Sequence, residues 1–124
     1  MPSYREQAVA FLKLAAAGEV QAAFDAYVAP DFIHHNPYFK GDRQSLLDAM
    51  AAAHESSPNR SIEIRQVLAD GDSVATHSRV RRQDPSQPDV AVVHIFRFAD
   101  GKIAELWDIG QLLDADSPNE HGAF

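Results

Sequence analysis

Hydrophobic and polar residues in the first part of the chain repeat with the period of a helix. Four apolar residues lie at the spacing i, i+3, i+4 and i+7, namely Ala8, Phe11, Leu12 and Ala15. Ser3 and Glu6 fit a capping box, in which each side chain covers a free backbone N–H of the other residue. Gly18 suits the left-handed turn that ends many helices. The pattern therefore predicts a first helix between Ser3 and Gly18.

Two further helices are predicted before the pattern changes. A short second helix carries apolar residues from Val20 to Tyr27 and ends before Pro30. Asp42 is placed to cap a third helix, which must end by Pro58 because proline breaks a helix interior. The buried stripe of this third helix is expected to consist of Leu46, Leu47, Met50 and Ala51.

From Ser61 onward apolar and polar residues alternate, as they do in a half-buried strand. The alternation predicts four strands, over residues 61–70, 74–82, 90–98 and 102–111. Asp-Gly pairs at 70–71 and 100–101 indicate tight hairpins. Helices followed by an antiparallel meander predict a single α+β domain over residues 1–113, with a small-molecule pocket between its two layers. Residues 114–124 are expected to form a polar, frayed tail.

Composition narrows the classes of function. The chain has 124 residues, and its 11 Lys and Arg against 18 Asp and Glu give a net charge of −7, which argues against nucleic acid and anionic membrane partners. The absence of cysteine excludes disulfides, thiolate catalysis and zinc–thiolate sites. We expect a cytoplasmic protein, because neither a signal-peptide pattern nor an apolar run of about 20 residues is found.

Two segments carry a resemblance to a known family. Residues 32–37 (FIHHNP) and 96–108 (FRFADGKIAELWD) resemble SnoaL-like (polyketide cyclase-like) proteins of the NTF2-like superfamily, and the resemblance covers about Ala8 to Leu112. It implies a conical α+β barrel, with three N-terminal helices on a strongly curved, mainly antiparallel sheet, and a homodimer formed through the outer sheet face. Members include polyketide cyclases, ketosteroid isomerases and limonene-epoxide hydrolases.

Asp108 is the first catalytic candidate. It follows Trp107 in the last predicted strand, where the resemblance implies the acid/base aspartate of the cyclases. A carboxylate in an apolar pocket can take up and return a proton during a reaction. The alternative is a carboxylate at a strand end that faces solvent or caps a turn.

His77 is the second catalytic candidate. The resemblance to the epoxide hydrolases implies a polar catalytic group on a preceding strand, and His77 occupies that position. The hydrolases carry aspartate there, which counts against epoxide hydrolysis. A His77–Asp108 pair could instead polarise a neutral imidazole for proton abstraction. The alternative is a half-buried histidine bonded to a backbone carbonyl.

His35 and Asn36 lie in a segment that Pro37 forces into an extended conformation. Only one of His34 and His35 can then face inward, and the family resemblance favours His35 as a catalytic acid or base. Asn36 could donate a hydrogen bond to a developing enolate oxygen. The alternative is a simple turn with both histidines at the rim.

The remaining candidates are binding residues. His94 shares a strand face with Phe96, but the pattern leaves open whether this face also carries Trp107 or Asp108. Trp107, Phe96, Tyr38 and Gln111 are further candidates for the pocket wall. The six histidines show no metal-ligand spacing, so neither a metal nor another cofactor is expected.

Two functions remain open from the sequence. The first is a cofactor-independent acid/base enzyme that resembles the SnoaL-like cyclases and performs aldol-type cyclisation, isomerisation or lyase chemistry next to a carbonyl. Its ligand would be a small apolar or aromatic carbonyl compound. The alternative is a non-catalytic small-molecule-binding or dimerisation module of the NTF2-like type.

Overall fold

The computed structural model describes residues 2–124 and contains the three expected helices. Helix α1 spans Tyr4–Ala16, α2 spans Val20–Tyr27 and α3 spans Arg43–Ser56. Ser3 caps α1: its hydroxyl accepts a hydrogen bond from the Glu6 backbone N–H at 3.1 Å, and its own N–H donates to the Glu6 carboxylate at 3.2 Å. Asp42 caps α3 by accepting from the backbone N–H of Ser45 at 3.1 Å. The three predicted helices are confirmed.

Five strands form one mixed sheet: β1 (Val28–His34), β2 (Asn59–Asp70), β3 (Ser73–Arg82), β4 (Val90–Ala99) and β5 (Lys102–Leu112). Their order is β1-β5-β4-β3-β2, with β1 parallel to β5 and every other neighbouring pair antiparallel. The four predicted strands are confirmed, whereas β1 is an addition. Because β1 lies at the edge of the sheet, it tolerates Pro30.

The helices cover one face of the curled sheet, and the hydrophobic core lies between them. Phe96 and Phe98 of β4 are buried, and Phe11 of α1 meets Phe96 edge-on at 6.1 Å between ring centroids. Tyr4 of α1 stacks on Phe98 at 4.2 Å. The predicted α+β architecture of helices on a curved, mainly antiparallel sheet is therefore confirmed. We call the helix-covered side the inner face and the opposite side the outer face.

Strand register decides which side chains share the inner face. Thr76 of β3 lies opposite His94 of β4, which in turn lies opposite Asp108 of β5. Because side chains alternate along a strand, His94 is on the same side as buried Phe96, and Asp108 on the same side as buried Leu106. Thr76, His94 and Asp108 thus form one row across the inner face.

The C-terminal residues return across the outer face. The Phe124 ring stacks on His77 at 4.8 Å between centroids, and the guanidinium carbons of Arg65 and Arg79 lie 5.6 and 5.7 Å from the Phe124 centroid. Leu113 is tied to Asp89 by a backbone hydrogen bond of 2.9 Å. Within residues 2–124, no helix has the length and apolar character needed to cross a membrane.

Candidate acid–base site

Three polar side chains meet at the inner face near the middle of β5. One carboxylate oxygen of Asp108, Oδ1, lies 3.5 Å from Nε2 of His94, and the other, Oδ2, accepts a hydrogen bond from the amide Nδ2 of Asn36 at 3.1 Å. The side chains of Asp108 and His94 are 26% and 14% exposed. The carboxylate therefore lies beside a ring nitrogen on one side and is hydrogen-bonded to an amide on the other, and it keeps partial access to solvent.

A β-bulge places Asp108 opposite His94. The β4–β5 hairpin pairs Ala99 with Lys102, but the register shifts by one residue between Arg97 and Phe98. Without this shift, the same hairpin would bring Trp107 opposite His94, and Asp108 would point to the outer face. The extra residue in β5 thus moves Asp108 to the inner face.

Asn36 is held in place by the way the chain leaves β1. The His35 backbone N–H donates to the carbonyl of Leu106 at 2.9 Å, so the segment continues beside β5. The side-chain oxygen of Asn36 accepts from the Tyr38 N–H at 3.1 Å. This bond fixes the orientation of the amide, so that its NH₂ group points toward Asp108.

Burial and the Asp108 carboxylate shift the pKa of His94 in opposite directions. Loss of solvent lowers the pKa of His94 below its ordinary value, and the nearby Asp108 carboxylate raises it by a smaller amount. His94 is therefore neutral at neutral pH. The carboxylate at Nε2 favours the tautomer with its proton on that nitrogen, which leaves Nδ1 as a lone-pair acceptor. Nδ1 is buried and has no hydrogen-bond partner.

His34, and not His35, occupies the buried side of the segment after β1. His34 is 5% exposed; its Nε2 donates to the carbonyl of Lys40 at 2.7 Å, and its Nδ1 accepts from the Asn36 backbone N–H at 3.1 Å. Both ring nitrogens of His34 are thus hydrogen-bonded to the backbone of residues 36–40, the loop that contains Asn36. The expected inward position of His35 is not observed, because His34 continues the alternation that buries Phe32.

His35 lies on the outer face. Its ring stacks on Trp107 at 4.8 Å and 12° between planes, and its Nε2 lies 2.6 Å from a carboxylate oxygen of Glu105. Arg97 donates to the other Glu105 oxygen at 2.9 Å. The bonds from His35 and then Arg97 hold the pKa of Glu105 below its ordinary value. This cluster is separated from Asp108 by the sheet.

His77 also lies on the outer face and does not reach Asp108. Its neighbour Thr76 is the β3 residue in line with His94 and Asp108, so strand alternation turns His77 to the other side. There it packs against Phe124. The expected His77–Asp108 pair is thus replaced by the His94–Asp108 pair, which answers the register question that the sequence left open.

The other binding candidates are dispersed. Phe96 is fully buried in the core, and Trp107 covers His35 on the outer face. Tyr38 is 86% exposed. Gln111 lines an open hollow of about 980 Å³ between the β3–β4 loop and the C-terminal residues. A hollow of about 650 Å³ lies between β1 and the start of α3, and neither hollow is lined by Asp108 or His94.

Two inner-face hydroxyls were missed by the sequence analysis. Thr76 and Ser78 are 2% and 0% exposed, and neither hydroxyl has a hydrogen-bond partner. The signal available in the sequence was their spacing, because both alternate in phase with buried Val74. Among residues 2–124, no three side chains of His, Cys, Asp or Glu are grouped so that they could hold a metal ion.

The sequence matches a known protein family, and the fold matches solved structures. The family model of the SnoaL-like domain matches residues 8–106. No curated protein sequence matches the chain. The match to the family model over residues 8–106 is therefore the evidence for the family.

Solved structures share the fold at low sequence identity. An NTF2-like protein of unknown function from Burkholderia xenovorans is 20% identical, with a TM-score of 0.72 over 92% of this chain and 87% of that one. A proposed polyketide cyclase from Sinorhizobium meliloti is 22% identical, with a TM-score of 0.67 over 82% and 92%. AclR, a proposed hydroxylase from Streptomyces galilaeus, is 20% identical, with a TM-score of 0.67 over 89% and 81%. These likenesses establish the fold.

Proposed function

Because the chain belongs to the SnoaL-like family, we propose that it is a cofactor-independent acid/base enzyme acting next to a carbonyl group. The observation that carries this proposal is the meeting of Asp108, His94 and Asn36 on the inner face. Apolar inner-face residues, among them Val92 and Leu106, lie next to this group along β4 and β5. We expect a small apolar or aromatic carbonyl compound as substrate.

Asp108 is the proposed proton acceptor, since it is the more exposed member of the pair with His94. Its carboxylate removes a proton from the carbon next to the carbonyl, and the C–H electron pair moves to form an enolate. In a cyclisation this enolate attacks a second carbonyl of the same molecule; in an isomerisation it is protonated at another carbon. Asp108 returns the proton, so the cycle needs no oxidant or reductant.

His94 and Asn36 are proposed to prepare Asp108 for this role. A protonated His94 would form an ion pair that stabilises the carboxylate and weakens it as a base. Burial keeps His94 neutral, so the ring can lie beside the carboxylate without forming this ion pair. Asn36 fixes the second oxygen through its amide hydrogen bond. Preorganised contacts of this kind lower the cost of reaching the reactive geometry.

We also infer a homodimer in the cytoplasm. The outer face carries half-buried Trp107 and Ile95 together with Ile109, which is 58% exposed. An apolar patch of this kind on the outer face is suited to pack against a second copy. Sedimentation at micromolar concentrations tests this inference, and Ile109→Lys should shift the protein toward the monomer.

Deuterium exchange tests the catalytic proposal without knowledge of the natural substrate. The protein is incubated in D₂O with a panel of aromatic ketones and 1,3-dicarbonyl compounds, and NMR follows exchange next to the carbonyl. Asp108→Asn should slow enzyme-dependent exchange by about 10²–10⁴-fold, the usual contribution of a positioned acid or base. Asp70→Asn, at an exposed strand end, serves as the control and should exchange like the parent protein. Binding of panel compounds without exchange would favour the non-catalytic alternative.

A further inference from the structure

Three buried polar atoms on the inner face have no hydrogen-bond partner: Thr76 Oγ1, Ser78 Oγ and His94 Nδ1. We propose that these atoms form a binding site for a hydroxyl group of the ligand, which we call the hydroxyl site. The inference deepens the proposed function, because it rests on a substrate bound at the inner face beside Asp108.

The first argument is energetic. A buried hydroxyl or ring nitrogen without a partner costs about 1–3 kcal/mol, and the large majority of such groups in folded proteins are paired. Here three of them lie on one sheet face. Thr76 and Ser78 are more than nine-tenths buried, so solvent does not supply the missing partner at the surface. A bound polar group that pairs with these atoms would reduce the cost.

The second argument is geometric. Thr76 lies directly opposite His94, and such cross-strand neighbours have Cβ atoms about 4.5–5.5 Å apart. Ser78 is the next inner-face residue along β3. One ligand oxygen can therefore lie between a hydroxyl of β3 and the ring of His94, with Asp108 as the next residue of the same row.

The hydrogen-bonding capacity of the three atoms indicates which functional group of a ligand would bind there. With the His94 proton on Nε2, Nδ1 can only accept a hydrogen bond, whereas a serine or threonine hydroxyl can donate or accept. The ligand group must therefore donate to Nδ1, and the O–H of an enol, phenol or alcohol does so while it also accepts from a serine or threonine hydroxyl. A ketone oxygen only accepts, so it would leave Nδ1 without a donor. The hydroxyl site therefore favours a hydroxylated ligand over its plain carbonyl analogue.

The row opens to solvent at its β5 end. Gly110 follows Asp108 on the inner face, is exposed, and presents no side chain. A Cβ atom added at Gly110 would meet only Val90 and Ala91, at ordinary distances of 3.6 and 3.9 Å. Asp108 and Gly110 thus lie at the exposed end of the inner face, and Thr76 and Ser78 lie at its buried end.

Thr76→Val tests the inference, because it removes the hydroxyl and keeps the branched shape. The probes are 2-naphthol and naphthalene, which differ by the hydroxyl alone, and binding is followed by fluorescence. We expect Thr76→Val to weaken 2-naphthol binding by about five- to tenfold, the effect of one hydrogen bond. Naphthalene affinity should stay the same. The melting temperature should be equal or higher, since an unpaired buried hydroxyl has been removed.

Ser45→Ala is the matched control. The Ser45 hydroxyl has a partner, the Asp42 carboxylate at 2.6 Å, and it lies at the start of α3. Its removal should lower the melting temperature and leave 2-naphthol affinity unchanged. Ser78→Ala provides a second variant of the hydroxyl site if Thr76→Val does not fold, and it should show the same loss of 2-naphthol affinity.

Two results would overturn the inference. One is a lower melting temperature of Thr76→Val with unchanged 2-naphthol affinity, which would mean that the hydroxyl serves the fold. The other is equal affinity, or no affinity, of the parent protein for 2-naphthol and naphthalene. Both results are distinct from a failure of the proposed function, which would appear as unchanged deuterium exchange in Asp108→Asn.

Discussion

Asp108 and His94 lie directly opposite each other on neighbouring strands, and their side chains meet at 3.5 Å on the face of the sheet that the helices cover. The ring and the carboxylate are close enough to influence each other's charge. Their environment differs, however, since the His94 side chain is the more buried of the two. The proposal that His94 positions Asp108 as a base rests on this difference between a buried ring and a partly exposed carboxylate.

The low pKa of His94 makes stability depend on pH. In the unfolded chain a histidine has its ordinary pKa of about 6.5, whereas burial lowers the pKa of His94 in the folded state. Between these two values the unfolded state binds more protons, so the free energy of unfolding falls as pH drops below about 6.5. Urea denaturation at pH 7.5, 6.5 and 5.5 should show this loss, and His94→Gln should reduce it.

His121→Gln is the control for that experiment. His121 lies near the C-terminus with its side chain 86% exposed. Its replacement should leave the pH dependence unchanged. An equal pH dependence in His94→Gln and the parent protein would contradict the buried, neutral state of His94.

The outer-face carboxylate of Glu105 should also make stability fall as pH drops, but in a lower pH range than His94 does. His35 and Arg97 hold the pKa of Glu105 below its unfolded value of about 4.5. Its contribution to stability is therefore present above that value and is lost as pH falls through the lower, folded pKa. Glu105→Gln should be less stable than the parent protein at pH 7, with a difference that shrinks in acid. Urea midpoints at pH 7 and pH 3.5 measure this, and a constant difference would contradict it.

Two features of the structure disfavour any other residue at position 18, where the chain has Gly18. Its φ is +90°, in the left-handed region, and an added Cβ would clash with the ring of His54. Gly18→Ala should destabilise the protein by about 1–3 kcal/mol from backbone strain, with a further steric cost. Gly71→Ala isolates the backbone cost, since Gly71 has φ +60° and no heavy atom within 4 Å of the added Cβ. Equal losses in the two variants would argue against the contact with His54.

Phe124 is expected to stabilise the outer face. Its ring stacks on His77 and lies near two arginine guanidinium groups. Phe124→Ala should lower the free energy of unfolding by about 1 kcal/mol, the typical contribution of such a contact. Glu120→Ala, at an exposed position in the same segment, is the control. Chemical denaturation at pH 7 measures both, and an unchanged value for Phe124→Ala would show that the stacking contributes nothing.

Local signals explain why most elements could be predicted. Ser3 and Asp42 mark helix starts, and the two Asp-Gly pairs mark hairpins, because each acts through residues a few positions away. Strand β1 gave no such signal. It pairs with β5, about 70 residues further along the chain, and Pro30 within it is tolerated because it lies at a sheet edge.

The site was predicted less completely, since it depends on which face each strand residue occupies. Asp108, Asn36 and His94 were all recognised as candidates from the sequence. Their grouping could not be derived, because the bulge between Arg97 and Phe98 is what turns Asp108 rather than Trp107 toward His94. A one-residue register shift exchanges the two faces of a strand, and neither hairpin length nor alternation reveals it.

The most direct test of the central claim is an NMR pH titration of the His94 ring nitrogens in the parent protein and in Asp108→Asn. The claim is that His94 is a neutral partner whose Nε2–H lies toward the Asp108 carboxylate and holds it in position. It predicts a proton on Nε2 at pH 7 in the parent protein, and a still lower His94 pKa in the variant, because the carboxylate charge that raises it has been removed. A His94 pKa that does not change in Asp108→Asn, or a proton on Nδ1 in the parent protein, would contradict the claim.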